Sequence, residues 1–196
     1  MISELQAVNQ MLAAQGLSPI NSLEGKLSKD ATTAKNMLDQ VRRQVGMEIW
    51  SWNVDPNYTL SKNELGEVPY PSNLVRFSVP HAGYVQMVNG RLYDRANKTY
   101  IFKSAVTGEA HFVLEWSDQP PEAQNYVATR AARVAYEQFL GTDETRQQLF
   151  IEEQTALRQM EQRDAEVARY NMLDESTLPH FHGSSILPGY SRKHQF

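Results

Sequence analysis

The sequence predicts an α+β protein: a helix bundle that ends in two long antiparallel helices, with a small antiparallel β module inserted into it. Three observations predict this. Apolar residues recur with a period near 3.6 over 2–52 and 121–170, but alternate with a period of 2 over 58–116. An Asn89-Gly90 pair separates two alternating runs, 84–88 and 91–95, and both central residues of a two-residue hairpin turn need positive φ. Residues 143–173 contain neither Pro nor Gly and read helical for about 30 residues, or about 45 Å. The expected organisation is a discontinuous bundle over 1–53 and 119–173, a β module over 54–118 and an extended tail over 174–196.

Ile2, Leu5, Val8, Met11 and Leu12 share one helical face, with Ser3 or the free terminus as the cap and Gly16 as the stop. The Pro, Asn, Ser and Gly of 17–25 make a loop, which Leu17, Ile20 and Leu23 should pin to a core. A second helix is expected over 30–52, carrying Ala34, Met37, Leu38, Val41, Val45, Ile49 and Trp52 on one face. Gly46 is a mild weakness within it. Strands are then expected over 57–60, 74–79, 84–88, 91–95, 99–102 and 110–116, with a turn at Thr107-Gly108. Pro120-Pro121 opens the next helix, because a first turn has no partner to lose for a missing N–H. Gly141 closes it, since glycine takes positive φ without penalty. Thr142 should cap the last helix, with Asp143 and Glu144 in its first turn, where the dipole favours negative charge.

In that last helix Leu149, Phe150, Ala156, Leu157, Met160, Val167 and Tyr170 form a thin stripe among many charges. So narrow an apolar face on so long a helix gains little from one small core. It is expected to bridge solvent or to pack on neighbouring chains, with a long helix inside a monomeric bundle as the plainer alternative. Leu149, Leu157, Met160 and Val167 are the candidate subunit-interface residues. The tail keeps Phe181, Ile186, Leu187, Tyr190 and Phe196. These either fold back on their own domain or strap onto a partner, and Phe181, Leu187 and Tyr190 are the candidate partner-binding residues.

The 196 residues suit one domain, or one domain with a sizeable insertion. The net charge of −4, with both signs spread along the chain, is no basic footprint for gripping phosphates. The absence of cysteine excludes disulfides, thiolate metal sites and a cysteine nucleophile. No signal peptide is expected, and no run approaches the ~18 apolar residues of a membrane span.

Glu4 to Gly16, followed by Leu23-Glu24-Gly25, resembles the N-terminal signature of the tail tubular protein A family, the head-to-tail adaptors or gatekeepers of short-tailed (podovirus-type) bacteriophages. Leu92-Tyr93-Asp94-Arg95, Phe139-Leu140-Gly141 and Tyr170-Asn171-Met172-Leu173-Asp174 are similar in the same order. The resemblance implies a virion structural protein assembled in the host cytoplasm as a ring, expected to be a dodecamer, in the short tail. Its implied partners are the portal protein, the tail tubular protein B nozzle and the tail fibre protein. Double-stranded DNA would pass through during ejection without specific binding, a role that suits a mildly acidic wall. No cofactor and no membrane is implied.

The competing classes are a monomeric binding module and, since a phage tail meets host surface glycans, a carbohydrate-active hydrolase. Glu109, Glu115, Asp118 and Glu122 are its candidate carboxylates, since a glycosidase needs two of them about 5–10 Å apart. Their plainer reading is solvated or capping charge. Trp50, Trp52 and Trp116 could stack sugars, but Trp50 and Trp52 are expected to seal the bundle against the β module. His180 and His182 have metal-like spacing without a further obvious ligand, so no metal is expected. His81 and His111 are expected at a strand end and on the sheet surface. Gly25-Lys26 lacks the upstream glycine and the following Ser or Thr of a phosphate loop, and no Gly-x-Ser-x-Gly elbow occurs.

Overall fold

The computed structural model describes residues 1–80, 84–141 and 143–172. Among these residues two α-helices are followed by five strands and then two more α-helices, an α+β chain as expected. They are α1 (Glu4–Ala14), α2 (Lys29–Gly46), β1 (Val54–Leu60), β2 (Leu74–Ser78), β3 (Val85–Val88), β4 (Arg91–Asp94), β5 (Val106–Phe112), α3 (Pro121–Leu140) and α4 (Glu144–Met172).

Local chemistry sets most of these bounds. Ser3 and Gln6 form a reciprocal capping box at α1: Gln6 N donates to Ser3 Oγ at 3.1 Å and Ser3 N to Gln6 Oε1 at 2.8 Å. The following loop is pinned by the Asn9 amide, which both donates to Ile20 O and accepts from Ile20 N. Ile20 and Leu23 pack on the core as expected, whereas Leu17 stays exposed.

Helix α2 ends at Gly46, short of the expected 52. Tertiary chemistry ends it. The Trp50 indole turns back to donate to Val45 O at 3.0 Å, and Asn53 Nδ2 donates to Gly46 O and Glu48 O at 3.2 and 3.0 Å. These side chains collect the carbonyls that a helix end leaves without partners. Gly46 itself faces Val113, whose Cγ1 would lie 3.2 Å from an added Cβ.

Helix α3 runs over the expected residues and is the central helix, packed on α1, α2 and α4. Ala123, Ala128, Ala131, Ala132 and Ala135 are all fully buried and let its neighbours approach closely. The bundle core joins this helix to Val8, Met11, Leu12, Leu38, Val127 and Met160.

In the β module, β5 lies between β1 and β2 in an antiparallel sheet, and β3–β4 form a separate hairpin. Asn89 and Gly90 have φ of 49° and 77°, the paired positive values expected of the Asn-Gly turn. Thr107-Gly108 is not a turn; it lies inside β5. A Cβ at Gly108 would come 2.4 Å from Ser78 O and 3.1 Å from the Phe77 ring, so this glycine marks close strand packing. Residues 99–102 form no strand, only isolated bridges of Thr99 to Asp94 and Ile101 to Glu67. Strand β5 ends at Phe112, before the expected 116, because Trp116 is claimed by the bundle, where its indole donates to Ile2 O at 2.9 Å. Leu60, Val68, Leu74, Phe77, Leu92 and Ala110 form a second apolar cluster within the module.

Candidate assembly surface

The α3–α4 hairpin is bolted by charge as well as by packing. Arg133 pairs with Glu153, which is almost fully buried, and its Nη1 lies 2.6 Å from Glu137 Oε2. Arg146 Nε lies 2.5 Å from Glu137 Oε1, so the four residues form one alternating chain across the two helices. Hydrogen bonding from Arg146, with the nearby Arg133 charge, holds the Glu137 carboxyl below its ordinary range. The Arg133 guanidinium is pushed further into its charged form by Glu153 and Glu137. Asp143 caps α4: it accepts from Arg146 N at 3.1 Å and from Tyr136 Oη at 2.6 Å, and these bonds lower its pKa, the Tyr136 bond most. The cap expected at Thr142 lies outside the described residues.

Arg133 opposite Glu153 and Glu137 opposite Arg146 fix an antiparallel register. On it Asp164 comes level with the start of α3, so the last residues of α4, about 12 Å of helix, overhang it. Ser51 N and Oγ both donate to Asp164 Oδ1, at 2.7 and 2.6 Å, and latch this end to the segment after α2.

Of the expected interface residues, Met160 is 1% exposed and packs inside the subunit's own core, where it offers no surface to a neighbour. Leu149, Leu157 and Val167 are half-buried. The hairpin tip instead presents Phe139, Leu140, Phe150 and Ile151, which are between 44% and 58% exposed. The sequence carried a signal for Ile151: it is an isoleucine off the apolar stripe, on a face shared with Glu144, Gln148 and Glu152. Leu140 and Phe139 also line a depression of about 340 Å³ with Gln15, Leu17, Lys29, Asp30, Thr33 and Ala34, at the same end of the bundle.

The other end of the bundle meets the β module in a polar joint. His111 is buried there rather than placed on the sheet surface, with Nε2 3.0 Å from Glu48 O and beside Asn53. Arg42 donates to Leu114 O at 2.7 Å and pairs with Glu115 at 2.9 Å. Trp50 and Trp52 stack 6.5 Å apart and are partly buried against the bundle core.

The four candidate carboxylates are spread over different elements. Glu109 is on β5, and Glu115 is largely exposed with its charge spent on Arg42. Asp118 ends a 3₁₀ turn beside Ser117, and Glu122 is in the first turn of α3. None of them lines the depression at the hairpin end or a second one of about 360 Å³ along α2, between Asn36 and Met47. Among the described residues no three His, Asp or Glu side chains gather as a metal set. Phe181, Leu187 and Tyr190, with His81, His180 and His182, lie outside the described residues.

A family model described as tail tubular protein matches residues 5–170. The chain belongs to the tail tubular protein family. Membership assigns this tail tubular protein a structural role in the phage virion tail. A search of curated proteins finds no match. No helix among the described residues is long and apolar enough to cross a membrane.

Proposed function

We propose that this tail tubular protein is the ring-forming head-to-tail adaptor of the virion, seated between the portal and the tail tubular protein B nozzle. In this reading it continues the DNA channel and supports tail fibres. One observation supports the reading: a braced helical hairpin leaves Phe139, Leu140, Phe150 and Ile151 in solvent at its tip, apolar surface of the kind that a protein–protein contact covers. Leu149, Leu157 and Val167 would supply lateral contacts between copies, helped by Phe150 and Ile151. Head-to-tail packing of this kind closes into a ring when the rotation between copies closes. The net charge of −4 gives DNA no salt-dependent grip to escape. Phe181, Leu187 and Tyr190 of the tail would engage the portal.

The test is to mix the purified protein with purified portal and image the product. A ring of subunits on the portal vertex is expected. Replacing Phe150 and Ile151 by Asp should abolish the ring while helical content stays unchanged. Removing 179–196 should abolish portal attachment while leaving the subunit folded. Unchanged rings in the first variant, or unchanged attachment in the second, would sink the corresponding assignment.

A further inference from the structure

We infer that Ile151 of one subunit seats in the depression of the next, against its Leu17, Phe139 and Leu140, so that neighbouring copies meet through two different surfaces. This contact presupposes the ring proposed above and specifies what joins its copies.

The two surfaces lie on opposite sides of one helix. α4 packs chiefly on α3, whereas α1 and α2 pack on α3 and on each other. The depression is on the α1–α2 side, with Leu17 from the loop after α1, Thr33 from α2, and Phe139 and Leu140 from the end of α3. Glu153, Ala156 and Met160 form the buried side of α4, and Ile151 projects from its far side, 58% exposed. Ile151 stands about 10 Å along α4 from Glu144, so it is at the same end of the bundle as the depression. The Arg133–Glu153 and Glu137–Arg146 pairs fix α4 to α3, so no chain can bring its own Ile151 round into its own depression. A second copy, placed alongside at the same level, can.

Composition matches the two surfaces. Gln147, Gln148, Gln154 and Thr155, one turn to either side of Ile151, are all uncharged, although the rest of α4 is dense with Glu and Arg. The depression has the same character, with Gln15, Thr33 and Ala34 around its apolar side chains. An apolar centre depleted of charge is the composition of an interface core. Charge stands at the edges. The depression's wall carries the exposed Lys29 and Asp30, and the exposed Glu152 and Arg158 flank Ile151, so each rim charge has an opposite to meet. Ile151 on Ile151 would close a pair and leave the depression open. Ile151 in the depression covers both apolar surfaces with one contact that repeats from copy to copy.

The chain has no cysteine, so thiols can be placed at the contact alone. Full-length Leu17→Cys/Ile151→Cys, mixed with purified portal and mildly oxidised, should give a ladder of disulfide-linked copies on a denaturing gel. Each single variant should stay at monomer size, because its thiol faces a residue without one. Linked pairs of Ile151→Cys alone would overturn the inference. Rings on the portal without a ladder would overturn it while leaving the ring itself standing, and neither ring nor ladder would end both. A second readout needs no thiol: Lys29→Glu should cut the number of rings on the portal about threefold or more, and Glu152→Lys in the same chain should restore it. No loss, or loss without rescue, counts against the contact.

Discussion

Asn53 decides where the bundle stops and the sheet starts. Its Nδ2 serves Gly46 O and Glu48 O, its Oδ1 accepts from Trp50 N at 2.9 Å, and its own carbonyl accepts from Phe112 N at 2.9 Å. Asn53→Ala would take the side-chain partner from Gly46 O and Trp50 N, leave Glu48 O with His111 alone, and should cost about 1–3 kcal/mol, read from the urea midpoint. Asn53→Asp keeps the acceptor but loses both donors, so it should be no milder. Gly108→Ala should also cost about 1–3 kcal/mol, because the new methyl meets backbone at Ser78 rather than a yielding side chain. A neutral melt for Gly108→Ala would mean that β2 and β5 can separate at no cost. Neither residue could be read correctly from the sequence. Asn53 lies just past the helix expected over 30–52 and Gly108 read as a turn, since their partners lie across the fold.

At the scale of elements, legibility follows how local the determinants are. The bounds of α3 are written in Pro121 and Gly141, and the β3–β4 turn in Asn89-Gly90, so all three were readable. The end of α2 is not local. Val45, Ile49 and Trp52 keep helical spacing, yet an indole and an amide from beyond Gly46 end the helix there. The hairpin bolts were legible only as a surplus of charges, because register decides which of them meet. Those bolts carry a pH signature. Glu137 and Asp143 have folded-state pKa values below their ordinary ones, so the unfolded chain binds protons more readily than the folded one. Their contribution to stability is complete above the ordinary carboxylate range and is lost as pH falls through the lowered values, below about pH 4. Melting temperatures followed by helical circular dichroism should therefore fall over that window. Glu137→Gln should lower the neutral-pH melting temperature and flatten the acid limb. An acid limb identical in the two proteins would show that Glu137 carries none of the linkage.

At the scale of the whole molecule, two apolar clusters with no residue in common sit on either side of one joint. Val54 pairs with His111, so the chain leaves the bundle and returns to it at neighbouring positions, which is what an insertion requires. What the bundle takes from 54–118 is narrow: His111 against Glu48 O, the Phe112 N–H on Asn53 O, Val113 against Gly46, Leu114 O with Glu115 on Arg42, and Trp116 in the bundle core. All of these groups lie at or after residue 111. Replacing 55–110 with an Asn-Gly turn keeps every one of them and removes the whole module cluster. The shortened chain is expected to retain the helical signal of α1–α4 and to melt cooperatively. His111→Ala in that background should lower its melting temperature, because Glu48 O then loses its imidazole contact. If excision instead collapses the helices, the bundle would depend on the module cluster across the joint, and the expected division at 53/54 and 118/119 would have to give way to a single folding unit.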